Sequence, residues 1–155
     1  MTPEKALTIM KRFILIIAFL ALIGCNNVGK TCPKPVEDFI TNLYNNYVFN
    51  YGELDSIACN FSPAVLDSLR AAYDKEYCDG SPAYAVWLFR TDQNGSDNES
   101  IDEIKVVGKD LYKVCLTDGS TPCTCLMQIV MKDENPVLIG FKTEYENRVI
   151  DFMRK

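Results

Sequence analysis

Between Ile101 and Thr143 the chain reads with a period of two, and no other stretch limits its fold as strongly. Four runs rich in β-branched and aromatic residues occur here: Ile101–Val107, Leu111–Thr117, Cys123–Lys132 and Pro136–Thr143. Gly108-Lys109-Asp110, Asp118-Gly119-Ser120-Thr121 and Asp133-Glu134-Asn135 separate them. Short polar separators of this kind close hairpins, so the runs predict a meander of four antiparallel strands. With Asp118 to Thr121 closing a four-residue loop, Thr117 lies opposite Pro122. Tyr112, Val114 and Leu116 then share a face with Cys123, Cys125, Met127 and Ile129. A slip of one residue would mix apolar and polar side chains on both faces.

Upstream the period is helical. Val36, Phe39, Ile40, Leu43, Tyr44 and Tyr47 recur at i, i+3, i+4, i+7, i+8 and i+11, one face of an amphipathic helix, with Pro35 suited to its first turn. A second helix is predicted from Ser62-Pro63, a capping residue followed by proline, with Val65, Leu66, Leu69, Tyr73 and Tyr77 as its stripe. Asp79-Gly80-Ser81-Pro82 stops it. Ala83–Phe89, which holds Trp87, fits a strand or a buried helical turn, and Thr91–Ser100 is a polar loop. Tyr145, Val149, Phe152 and Met153 suggest a short closing helix. The expected class is α+β, with two N-terminal helices packed on one face of a four-stranded antiparallel sheet. This order, with the Phe61-Ser62-Pro63-x-x-Leu66-x-x-Leu69 opening of the second helix, resembles the cystatin-like, nuclear-transport-factor-2-like domains of uncharacterised bacterial lipoproteins, over about residues 35–143. Members of that superfamily include enzymes, ligand binders and interaction modules, so the likeness implies a fold rather than an activity.

The N-terminal region speaks to location. Lys11-Arg12 precedes the apolar run Phe13–Ile23, which ends at Gly24-Cys25. A basic start, a short apolar segment and a small residue at the cut form the pattern of a secretory signal. The run falls short of the roughly 20 apolar residues that a membrane span needs. Leu22-Ile23-Gly24-Cys25 resembles the lipobox of bacterial lipoproteins, in which the cysteine is lipidated and the preceding peptide is removed. An ordinary cleaved signal with a coincidental cysteine is the alternative. The resemblance implies a palmitate-bearing lipid attachment at Cys25 and a protein held on the cell envelope, with the outer membrane as the expected site. It divides the chain into a signal peptide at 1–24 (with Met10 as a possible true start), a lipidated tether at 25–35 and a single domain at 36–155. A tether of about ten residues reaches roughly 35 Å at full extension, which keeps the domain close to its membrane.

Charge and composition narrow the chemistry. The net charge is −5, and residues 1–24 carry Lys5, Lys11 and Arg12 against Glu4, a surplus of two positive charges, so the remainder carries −7. An acidic domain repels phosphate backbones, so no nucleic acid is expected. The linear sequence shows no basic patch for anionic lipid head groups, which leaves the N-terminal lipid as the membrane attachment. The chain contains no histidine, so neither a Ser-His-Asp nor a Cys-His nucleophile system can form.

Cys32, Cys59, Cys78, Cys115, Cys123 and Cys125 remain after Cys25, an even number that beyond an export signal suggests disulfides. Cys59 and Cys78 flank a helix of about 16 residues whose ends lie about 24 Å apart, too far for a bridge. An antiparallel helical hairpin brings Cys32 near Cys78, and Cys59 is then expected to pair with Cys123 or Cys125 in preference to Cys115. Cys123-Thr124-Cys125 read as a redox pair or half of a zinc site are the alternatives. Asp92 to Glu99 has oxygen ligands at alternating positions but places Gly95 fourth, a poor calcium loop, and reads as a solvated loop. Asp55-Ser56-Ile57 and Asp67-Ser68-Leu69 resemble the short site at which some envelope bacteria attach O-glycans. Tyr44, Tyr47, Phe49 and Tyr51 fit core packing, with a ligand pocket as the alternative. No cofactor or metal is implied. The expectation is a non-enzymatic binding or protein-interaction domain with an envelope protein as partner; the alternative is a small-ligand binder with a pocket between the helices and the curved sheet.

Overall fold

The computed structural model describes residues 30–50, 52–77, 99–118, 121–145 and 148–153. Cys25, Cys78 and the Ala83–Phe89 run lie outside them. Helix α1, Lys34–Asn42, starts one turn into the proline-rich segment, inside the expected tether, with Pro35 in its first turn. The Pro33 carbonyl accepts hydrogen bonds from the Val36 and Glu37 amides, which satisfies two donors at the helix start. Lys34 reaches Asp38 at 2.8 Å, an exposed i, i+4 pair that solvent screens.

The helix continues as a π-helical turn, Leu43–Val48, closed by the Phe49 amide on the Tyr44 carbonyl at 2.8 Å. The wider turn shifts the apolar stripe. Val36, Phe39, Ile40, Leu43 and Tyr44 are buried as expected, but Val48 takes the last core place and Tyr47 moves to the rim. A 3-10 helix, Leu54–Asn60, follows and buries Leu54. Helix α2, Pro63–Tyr77, begins where the Ser62-Pro63 pair places it. Ser62 accepts from the Val65 amide on both its carbonyl and its Oγ, and its own amide donates to the Leu138 carbonyl at 2.8 Å. Val65, Leu66, Leu69 and Tyr73 form the buried stripe. Arg70 on α2 meets Asp55 of the 3-10 helix at 2.6 Å.

The sheet has five strands in the order of the chain: β1 Glu99–Gly108, β2 Leu111–Asp118, β3 Thr121–Lys132, β4 Asn135–Tyr145 and β5 Arg148–Asp151. All neighbours are antiparallel. Asp110, Asp133 and Glu134 have positive φ, and the Asp133-Glu134 pair supplies the two left-handed residues that a tight hairpin turn requires. Thr117 lies opposite Pro122, as expected, and the ladder carries one pair further, to Asp118 and Thr121.

The fifth strand corrects the sequence reading. Tyr145 to Met153 does not close the chain as a helix; Arg148–Asp151 pairs with β4, with Ile150 opposite Thr143. The Phe152 amide then bonds the Phe141 carbonyl, and its ring meets Phe141 edge-on at 5.2 Å. Two β-branched residues in succession, Val149 and Ile150, fit a pleated edge better than a helix.

One core joins the layers. Tyr112, Val114, Leu116, Cys123, Cys125, Met127, Ile129, Leu138 and Phe141 point from the sheet at the buried stripes of α1, the π-turn and α2. Register shifts at Ile101/Glu103, Val106/Gly108 and Gln128/Ile129 interrupt the ladders, and bulges of this kind curve a sheet.

The return from the π-turn depends on Gly52, where a Cβ would run into the Asn46 carbonyl and the Tyr47 ring. Backbone cannot yield there as a flexible side chain would. Gly52→Ala is expected to lower the urea midpoint by an amount equivalent to about 1–3 kcal/mol. An unchanged midpoint would show that the π-turn adjusts freely.

Candidate interaction surface

The cysteines fall into three environments. Cys123 and Cys125 are buried in the core, Cys32 is half-buried at its edge, and Cys59 is exposed at the end of the 3-10 helix. Cys115 points to the opposite face of the sheet, level with Thr124. Among the described residues no disulfide joins any two of these five. The expected bridge from Cys59 to Cys123 or Cys125 does not form, and strand length explains why. Asn60, next to Cys59, donates to the Pro136 carbonyl, and Pro136 lies opposite Met131. Met131 is six residues along β3 from Cys125, about 20 Å. Bridged Cα atoms lie within about 7 Å. The expected Cys32–Cys78 pair falls outside the described residues at Cys78. No group of histidine, cysteine, aspartate or glutamate among the described residues is placed to hold a metal ion.

Burial pushes the Cys125 thiol up to about 12, against a lowering from its hydrogen bond with Tyr44. The same burial, with the neighbouring thiols, holds the Tyr44 hydroxyl well above its ordinary value. Both groups stay protonated, and Cys125 has no thiolate character to support redox chemistry. Tyr44 packs as core, its ring 5.5 Å from Phe49, while Tyr47 reaches Ser56 at the rim. Of the two candidate glycan acceptors, Ser56 is exposed on the 3-10 helix. Ser68 donates to the Ala64 carbonyl within α2.

The face of the sheet turned away from the core carries a pattern that reading along the chain missed. Lys105 of β1 lies opposite Lys113 of β2, Lys113 opposite Leu126 of β3, Leu126 opposite Lys142 of β4, and Lys142 opposite Asp151 of β5. These five residues form one rung across all five strands. Every one alternates with inward-pointing core residues, so all five point outward. Lys105 reaches Glu103 at 2.6 Å. Half-buried apolar residues extend the face on one side, where Val130 lies opposite Val137 with Ile139 beyond it. Between them Gln128 has a buried Oε1 with no hydrogen-bond partner. The lysines are 8 and 29 positions apart in sequence, so no linear window shows a basic patch. The signal was nonetheless present: the expected register of Thr117 on Pro122 already sets Lys113 opposite Leu126.

Chemically, this surface offers cationic donors and apolar contact, with the Glu103 and Asp151 carboxylates at its flanks. No helix among the described residues is long and apolar enough to cross a membrane. No protein-family model, curated protein or solved structure matches the chain.

The buried Tyr44–Cys125 pair has a consequence for alkaline stability. Raised folded-state values mean that the contribution is complete below the unfolded thiol value of 9.0 and is lost as pH climbs toward about 12. Above pH 9 the unfolded chain releases a proton that the folded chain retains, so unfolding is favoured. Denaturant titrations are expected to show stability falling by roughly 1 kcal/mol per pH unit for each such group. The double variant Tyr44→Phe, Cys125→Ala should flatten that limb; an equally steep limb in the variant would assign it to other groups.

Proposed function

We propose that this chain is a lipid-anchored protein of the cell envelope, on the outer membrane, whose α+β domain is a non-enzymatic protein-interaction module. The observation that carries the anchor is the convergence of Lys11-Arg12, the apolar run Phe13–Ile23 and Gly24 on Cys25. Acyl chains stabilise membrane attachment by about 0.8 kcal/mol per buried methylene, so more than one chain on Cys25 holds the protein firmly. The helical layer over one face of a curved antiparallel sheet supports the cystatin-like, nuclear-transport-factor-2-like resemblance. An interaction role is supported by what the layering leaves: a sheet face of lysines and half-buried aliphatic residues pointing away from the core. The lack of histidine removes Ser-His-Asp and Cys-His nucleophilic catalysis.

Intact-mass spectrometry of protein extracted from membranes is expected to show a diacyl- or triacyl-modified N-terminus at Cys25. Cys25→Ala should accumulate as the uncleaved precursor. A soluble mature species, or an N-terminus at another residue, overturns the anchor.

A further inference from the structure

We propose that the outward sheet face centred on Lys113 and Leu126 is a docking surface for an acidic, partly apolar segment of a partner protein. The proposal deepens the interaction-module reading and rests on it. Its starting point is an electrostatic anomaly. Lys105 and Lys113 stand directly opposite each other on adjacent strands, a placement that destabilises a sheet. Glu103 relieves Lys105, and Lys142 faces Asp151 across its own ladder. The central Lys113 is half-buried, and its ammonium has no hydrogen bond or ion pair among the described residues. A chain whose part after residue 24 carries −7 thus gathers positive charge on one rung of one face.

The rung spans three strand spacings from Lys105 to Lys142, about 14 Å, the length of four or five extended residues. Its composition selects among occupants. Carboxylates of a partner complement Lys113 and Lys142, and an apolar side chain between them meets Leu126. A polypeptide supplies both groups at strand spacing. An anionic bilayer supplies the negative charge alone, and the acidic remainder of the domain is repelled by it. Glu103 and Asp151 at the two flanks confine the attraction to the middle of the sheet.

The test uses the full chain in detergent with a synthetic peptide repeating Glu-Thr-Leu-Thr, which places glutamate and leucine on one face of a strand. Binding is expected, weakening as salt is raised. Lys113→Glu should weaken it about tenfold or more, the loss of one well-placed charge pair. Lys75→Glu, on the exposed side of α2, should leave it unchanged. Because Lys113→Glu replaces a like-charge pair with an opposite one, its urea midpoint should be no lower than that of the parent, which separates lost docking from lost folding. Lys113→Gln should bind with intermediate affinity. Equal binding by parent and Lys113→Glu, equal binding of a peptide with lysine for glutamate, or displacement of the peptide by phosphatidylglycerol vesicles each overturns the proposal. A photo-crosslinking residue at position 126 or at position 67 on α2, used in intact membranes, separates the two levels of the argument. Adducts from position 126 that the acidic peptide suppresses support the docking face. Protein adducts from position 67 alone overturn the face and leave the interaction module standing. Adducts from neither overturn both.

Discussion

The register of β2 against β3 decides what both sides of this sheet are for. Pairing Val114 with Cys125 and Tyr112 with Met127 puts Tyr112, Val114, Leu116, Cys123, Cys125, Met127 and Ile129 together under the helices. Because side chains alternate, the same pairing sends Lys113, Leu126 and Gln128 to the other side. A slip of one residue would turn Lys113 toward the core, with a desolvation cost of several kcal/mol for the ammonium. The helices reinforce the choice: Ile40, Leu43, Tyr44 and Leu69 are fully buried and fit only the side that carries Met127 and Phe141. Stability is thus assembled on one face, and the other is left to carry charge.

Much of this was legible in the sequence because it rests on local physics. The Ser62-Pro63 start of α2 follows from capping chemistry, and the 3.6 period located its buried stripe. The hairpin register between β2 and β3 followed from the requirement that apolar residues share a face. What escaped was non-local or irregular. The π-turn at Leu43–Val48 exchanges Tyr47 for Val48 in the core, and no propensity announces a wider turn. The closing strand β5 depends on Phe152 reaching Phe141, a tertiary contact that outweighed a short helical pattern. The lysine rung needed three registers at once, and reading along the chain tested only one of them.

Among the described cysteines the fold, rather than their number, sets which pairs lie within reach. An even number beyond an export signal suggests bridges, yet Cys123 and Cys125 are two residues apart on one strand, both facing the core. There a thiol behaves as a small hydrophobe: it fills space beside Tyr44, and burial keeps it protonated. Cys59 sits at the far end of the same sheet face, six strand positions away. The envelope reading therefore draws nothing from these thiols and rests on the segment that ends at Cys25.

The proposed anchor and the lysine rung would make different demands on the same domain. A domain held by acyl chains close to an anionic surface gains from overall negative charge, which keeps its bulk from lying flat on the head groups. A uniformly acidic surface, however, would also repel an acidic partner. Concentrating positive charge on one rung, with Glu103 and Asp151 at its flanks, meets both demands, since screening confines the attraction to within about a Debye length, roughly 8–10 Å, of the sheet. The cost falls on the Lys105–Lys113 pair, which weakens the ladder locally. β1 is an edge strand and so tolerates that weakening better than β3 in the centre would. A like-charge pair at the edge of the meander, beside an aliphatic residue at its middle, is the arrangement expected where specificity for a partner outweighs a small loss of stability.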